Sequence, residues 1–378
     1  MNALSLRQII LREIEERGPM PFSRYMELCL YEPGLGFYER EREIFGKAGD
    51  FYTSSDVHAV FGRLLARQFD EMWRVLGSPP RIDLVELGPG RGLFAQDVLD
   101  WTAKKFPEFH RALHTTLVET SPGLRARLDE RFAAQIAAGK VQVVETVEQA
   151  TIEGEFIVFA NEFFDALPVE VVADRGELRI GAENGRFVES FAPPSAQELD
   201  FLDRYSVHPE PGERVEAALV ALDRLRRIAA APAAGARGFC LLVDYGYTRQ
   251  EQLAGRHRDT VMAFRQHTIS QNPYEAPGEQ DITAHVNFTA LMDVGKQVGL
   301  EPLALVTQSQ LLMGIGEDNQ FADAFEDCRL PQERAKVALQ LKHLATPAGM
   351  GDAFQALVLG RGVVKDDARN LSGLKFAR

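Results

Sequence analysis

Cysteine is scarce. The chain has three in 378 residues, Cys29, Cys240 and Cys328, far apart and without CxxC spacing. This excludes a disulfide framework and a structural zinc site, and it fits inert thiols in a reducing compartment. Positive charge is also in deficit: 42 Lys and Arg stand against 55 Asp and Glu, a net charge of −13 that repels phosphate backbones and excludes a general nucleic-acid binder. No apolar run approaches the ~18 residues of a membrane span. The longest, around residues 239–243 and 353–359, have strand length. Residues 5–17 carry Glu13, Glu15 and Glu16, whereas transit peptides avoid acids and signal peptides need an apolar stretch, so the sequence predicts a cytoplasmic protein. His267, His285 and Arg265 have no Cys or carboxylate at ligand spacing beside them, and no metal is expected.

What is present is globular. Apolar residues are 45% and charged residues 26% of a chain long enough for one elaborated domain or two ordinary ones. Leu6, Ile9, Ile10 and Ile14 recur at helical spacing after Ser5, and Ser5 with Gln8 matches a capping box. A second helix fits residues 23–30 and a third residues 57–76, so residues 1–76 read as a helical N-terminal segment. From Ile82 onward short apolar runs alternate with helical stretches, the pattern of a parallel sheet in an α/β fold. Strands are expected at 82–86, 114–119, 141–144, 156–160, 239–243, 303–306 and 354–359. They define one domain over 77–365, with two insertions. The first, 168–238, begins as a β-meander with Asn184-Gly185 as a hairpin turn and ends in a helix over 213–231. The second, 248–286, is a long patterned loop on the substrate side.

The chemistry concentrates at strand ends. Glu86-Leu87-Gly88-Pro89-Gly90-Arg91-Gly92 closes the first sheet strand and opens a helix, where glycines let a ligand approach the backbone and the helix presents free N–H groups. A dinucleotide fingerprint would need Gly or Ala at position 93, which is Leu. The pattern is E-x-G-x-G-x-G, and it resembles that of S-adenosylmethionine (SAM)-dependent methyltransferases with a Rossmann-like sheet. Glu119, ending the next strand ahead of Ser121, is placed to accept hydrogen bonds from ribose hydroxyls. The fourth strand ends in Asn161-Glu162-Phe163-Phe164-Asp165, where two carboxylates among aromatic rings could seat a cationic nitrogen or could serve as helix caps. Asp244 and Tyr245 end the fifth strand on the same edge, and either a substrate contact or a loop-fixing hydrogen bond suits them.

The stretches 31–38, Gly49-Asp50-Phe51-Tyr52-Thr53-Ser54, 86–92, 161–168, 244–246, 277–278 and 281–288 together resemble the MidA family of SAM-dependent methyltransferases over about residues 20–317. The chain departs from that family's pattern at Ser54-Ser55-Asp56, where a small residue, Pro and Glu are usual and Asp56 could substitute for the acid. Mitochondrial members of that family are complex I assembly factors and protein arginine methyltransferases. The resemblance implies a seven-stranded Rossmann-like methyltransferase sheet with an N-terminal helical lid and inserted segments. It implies SAM held by Asp50, Tyr52, Thr53, Ser54, Glu86, Gly88, Gly90, Gly92, Glu119, Ser121 and Asn161. Methyl transfer is expected to an arginine of a protein partner, such as a respiratory complex subunit, with Glu162 and Asp165 as catalytic acids. A small-molecule methyltransferase would share every cofactor motif, and a SAM-binding assembly factor without catalysis is the non-enzyme alternative.

Overall fold

The computed structural model describes residues 4–40, 59–265, 268–270, 272–346 and 349–377. They divide into two units, each with its own core. The second unit comprises residues 59–163, 226–245 and 295–377 and carries seven expected strands: β1 (Ile82–Leu87), β2 (Leu113–Val118), β3 (Val141–Val144), β4 (Phe156–Asn161), β5 (Gly238–Tyr247), β6 (Glu301–Thr307) and β7 (Phe354–Arg361). Their spatial order is β6-β7-β5-β4-β1-β2-β3. All neighbours are parallel except β7, which runs antiparallel to both β5 and β6. Every residue of β1 is buried, which is why it reads as an unbroken apolar run apart from its two acids. Beneath it Phe94 and Phe159 stack at 4.3 Å, with Phe61 and Phe69 tilted or edge-on to both. Truncating such a ring to Ala costs about 3–5 kcal/mol.

The chain runs outward from β1 to β2 and β3, then returns to place β4 on the other side of β1. That reversal opens a crevice at the carboxyl end of β1, the place where open α/β sheets hold ligands.

The other unit comprises residues 4–40, 164–225 and 246–294. The division therefore differs from the expected one at 76/77. The helix Ala59–Val75 buries Phe61, Leu64, Leu65, Phe69 and Met72 in the core of the sheet unit. The helices Leu6–Arg17 and Phe22–Tyr31 share a second core with both insertions, in which Leu6, Ile10, Phe22 and Met26 pack with Val171, Ile180, Ala263 and Ile282. Residues 213–231 are not one helix. The strand Arg214–Ala217 pairs with Glu170–Ala173, and the helix Leu219–Ala230 follows. The expected hairpin forms between Gly176–Glu183 and Arg186–Ala192, with Asn184 and Gly185 left-handed at φ 49° and 72°. Met262–Arg265, Thr268–Ser270 and Asp281–Thr283 make a small sheet where the second insertion reads as a loop.

Candidate active site

Strand register brings the predicted residues of the sheet unit into one row. Leu87 stands beside Val118 on one side and Ala160 on the other, and Ala160 stands beside Leu242. The next residue of each strand is therefore level with the others: Gly88, Glu119, Asn161 and Val243. Gly88 N–H donates to Val118 O at 3.0 Å and Glu119 N–H to Val144 O at 3.0 Å, so the ladders hold to the rim of the crevice.

Gly88, Gly90 and Gly92 are all left-handed, with φ of 63°, 52° and 72°. L side chains pay about 1–2 kcal/mol there. Gly92 also caps the helix Leu93–Lys105, so the turn presents the backbone N–H groups at that helix start without a Cβ in the way. Glu119 accepts from Ser121 N–H at 3.0 Å, and the Ser121 hydroxyl caps the helix Pro122–Arg131. Glu86 is 6% and Glu119 7% exposed. Burial, with the Glu119 charge adding to it, pushes the Glu86 carboxyl up to about 8.

At the end of β4, Asn161 donates from Nδ2 to Glu162 Oε1 at 3.0 Å, and its own Oδ1 is buried without a hydrogen-bond partner among the described residues. A buried amide oxygen of this kind suits a donor brought by a ligand. Glu162 holds φ 51°, a conformation uncommon for a residue with a side chain. Its N–H donates to Val243 O at 2.9 Å. Asp244, 1% exposed, accepts from Phe163 N–H at 3.2 Å and from its neighbour Tyr245 N–H at 3.0 Å. The loop-fixing hydrogen bond expected for Asp244 is present.

The sheet unit thus gathers Glu86, Gly88, Gly90, Gly92, Glu119, Ser121, Asn161 and Glu162. Asp165 belongs to the other unit. Its backbone carbonyl accepts from Ala284 N–H at 2.9 Å, and its charge helps hold the Tyr38 phenol above its usual range, after burial and Asp281. Asp50, Tyr52, Thr53 and Ser54 lie outside the described residues, as does His267. Phe163 went unsuspected; an aromatic residue after a strand is too common a signal to mark its packing on Gly88.

The N-terminal and inserted unit has two buried polar groupings of its own. Glu170, Glu177 and Glu198 place ligand-capable oxygens within 4.8 Å of one another. Ser23 donates to Glu170 Oε1, Arg179 pairs with Glu177 at 2.9 Å, and Glu198 closes the cap at Ser195, while Glu170 Oε2 is buried with no hydrogen-bond partner among the described residues. Glu216 accepts from Thr260 N–H at 2.8 Å and Thr260 Oγ1 at 3.0 Å, and His285 N–H donates to the same hydroxyl oxygen. His257 and His285 meet through their Nδ1 atoms at 3.0 Å. Burial pushes Glu216 up to about 7; burial and His257 push His285 down to about 4.

Residues 64–306 match the profile of a family described as "putative S-adenosyl-L-methionine-dependent methyltransferase". The chain belongs to this family. It is a SAM-dependent methyltransferase of the MidA type, and SAM is its cofactor. It is 30% identical to the Drosophila melanogaster protein named protein arginine methyltransferase NDUFAF7 homolog, mitochondrial, over 95% of this chain and 86% of that one. The human protein of the corresponding name is 28% identical over 93% of this chain and 82% of its own. A Burkholderia thailandensis protein solved with S-adenosyl-homocysteine bound superposes with a TM-score of 0.82 at 28% identity, covering 98% of this chain and 95% of that one.

These relatives correct the expectation of a cytoplasmic protein, since the Drosophila, mouse and human proteins are all named mitochondrial. The acids behind that expectation sit in the helix Leu6–Arg17, which buries Leu6, Ile10 and Ile14 in a core. They are part of the folded protein and carry no information about targeting. Among the described residues no helix is long and apolar enough to cross a membrane.

Proposed function

We propose that the protein methylates an arginine side chain of a protein partner and that Glu162 is its catalytic carboxylate. The observation that carries this reading is the position of Glu162: a carboxylate fixed by a left-handed backbone at the rim of the crevice, one residue beyond Asn161 and level with the glycine turn. The names of the fly and human relatives supply the substrate class.

The residues then divide the work by position. Gly88, Gly90 and Gly92 would bring backbone close to the cofactor, Glu119 would accept from its ribose, Ser121 would keep the Glu119 end of β2 in place, and Asn161 Oδ1 and Glu86 would take its polar end. SAM supplies a methyl group on a positively charged sulfur. A guanidinium is a weak nucleophile because its lone pairs are delocalised and it stays protonated. Glu162 would align it by charge-assisted hydrogen bonds and accept the departing Nη proton as the N–C bond forms and the C–S bond breaks. Alignment of three atoms in line is the larger part of the barrier reduction.

The test is a cell extract from a strain lacking the protein, incubated with the purified enzyme and SAM carrying an isotope-labelled methyl group, then digested and read by mass spectrometry. Labelled methylarginine in one or a few proteins is the expected result. Label on small molecules alone, or on lysine, would overturn the reading.

A further inference from the structure

Four strands end at the crevice, and the proposed chemistry uses three of them. The fourth, β5, grips the turn that carries Glu162. Val243 O accepts from Glu162 N–H at 2.9 Å, and the Asp244 carboxylate bridges two amides, Phe163 N–H at 3.2 Å and Tyr245 N–H at 3.0 Å. The carboxylate is 1% exposed, and each oxygen is committed to a different backbone donor. One end of this clamp is the residue directly after Glu162, whose φ of 51° is uncommon for a residue with a side chain. The other end is tied to Tyr245, whose ring meets Phe354 of β7 edge-on at 5.0 Å. The turn after β4 is therefore anchored to the rigid middle of the sheet rather than to a loop.

We infer that Asp244 is a positioning residue for methyl transfer: by holding the Phe163 amide it fixes the left-handed backbone of Glu162 and so the direction of the Glu162 carboxylate. This rests on the proposed role of Glu162. The glycine turn, on which the Phe163 ring packs, also has backbone hydrogen bonds of its own, Gly88 N–H to Val118 O and Gly92 N–H to Pro89 O. Loss of the Asp244 clamp should therefore separate chemistry from cofactor binding.

Asp244→Asn keeps the shape but turns an NH2 group toward one of the two amides, and Asp244→Ser is too short to reach both. For each, hydrogen exchange of peptides covering 161–167 and 243–247 is measured in the cofactor-free protein. SAM affinity is measured by calorimetry. Single-turnover transfer is measured with saturating labelled SAM and the extract protein that the parent enzyme labels. The expected result is exchange at least tenfold faster in both peptides, SAM affinity within twofold of the parent, and a transfer rate at least tenfold lower per folded molecule. A full transfer rate in a folded variant overturns the inference. So does the failure of both variants to melt cooperatively above the assay temperature, which would make Asp244 a requirement of the fold. If the parent itself labels no arginine, the functional reading fails, and the exchange comparison alone decides the clamp: unchanged exchange refutes it.

Discussion

The ring of Phe163 lies over Gly88, so close that a Cβ on that glycine would stand 3.0 Å from ring carbon Cδ2. The three glycines of the turn are consequently not equivalent. At Gly92 a Cβ would meet Leu128 Cδ2 at 2.6 Å and Phe132 Cε2 at 2.7 Å, two buried side chains with little room to yield. Gly92→Ala should lower stability by about 2–4 kcal/mol, strain and overpacking together. Gly90→Val carries at least the strain of a side chain in the left-handed region, about 1–2 kcal/mol, and should abolish SAM binding. Thermal melts and calorimetry on both decide this; a Gly92→Ala protein as stable as the parent would sink it.

Glu119→Gln keeps the hydrogen bond from Ser121 N–H but removes the charge. Charge-assisted hydrogen bonds contribute about 1.5–3 kcal/mol each, so SAM affinity should fall between tenfold and a hundredfold with little change in melting temperature. Equal affinity would show that the end of β2 does not hold the ribose.

Proton linkage offers a test of Glu86. With its pKa raised to about 8, the carboxyl is mostly protonated at pH 7, and a cation bound beside it favours ionisation. SAM binding should therefore release a proton at pH 7, and affinity should rise from pH 6 to 8. Calorimetry in two buffers of different ionisation enthalpy counts the proton. In Glu119→Gln the release should shrink, because a neighbouring negative charge that raises Glu86 is gone. Zero release in the parent at pH 7 would contradict the assignment.

Chemistry, in turn, depends on Glu162. Glu162→Gln should leave SAM affinity near that of the parent and lower the single-turnover rate by two orders of magnitude or more, the scale of general acid–base and electrostatic terms. A destabilised variant with a full rate per folded molecule would make Glu162 a structural residue.

Two buried groups in the other unit pull stability in opposite directions with pH. Glu216 is raised in the folded state, so the native protein binds more protons than the unfolded chain between its ordinary value and about 7, and its share of stability falls as pH rises through that window. His285 is lowered to about 4, so the unfolded chain binds more protons between about 4 and 6.5, and its share falls as pH drops. Over pH 4.5–6.5 the two oppose each other. Relative to the parent, Glu216→Gln should gain stability as pH rises across that range, and His285→Gln should lose it. Denaturant melts at pH 4.5, 5.5 and 6.5 give the slopes; parallel curves for all three proteins would refute both assignments.

The sheet was legible because its strands are short, apolar and buried on both faces, and because the turn after Glu86 is written in glycines. The helix Leu6–Arg17 and its Ser5–Gln8 capping box followed from spacing alone. What stayed hidden is the second core. Ile10, Val171 and Ile282 lie in three segments far apart in the chain, and each segment alone looks like a decoration of the sheet. Residues 213–217 read as the start of a helix because their strand character comes from pairing with Glu170–Ala173, which no local pattern announces. Glu162 and Asp165 stand three residues apart, and the chain passes from one unit to the other between Phe163 and Phe164, a boundary that no local pattern announces. Asp244 was open between two roles because a strand-end carboxylate looks the same whether it faces a substrate or a neighbouring amide.

The antiparallel strand β7 bears on how the protein is made. It is the partner of both β5 and β6, and it comes last of the seven in the chain. While a ribosome is still translating residues before 354, β5 has β4 on one side and an open edge on the other, and β6 has no neighbour to pair with. The first unit has all of its segments by residue 294, whereas the sheet waits for residue 361. A nascent chain therefore carries an exposed apolar strand edge until residue 361 has been made, the condition under which chaperone binding competes with aggregation.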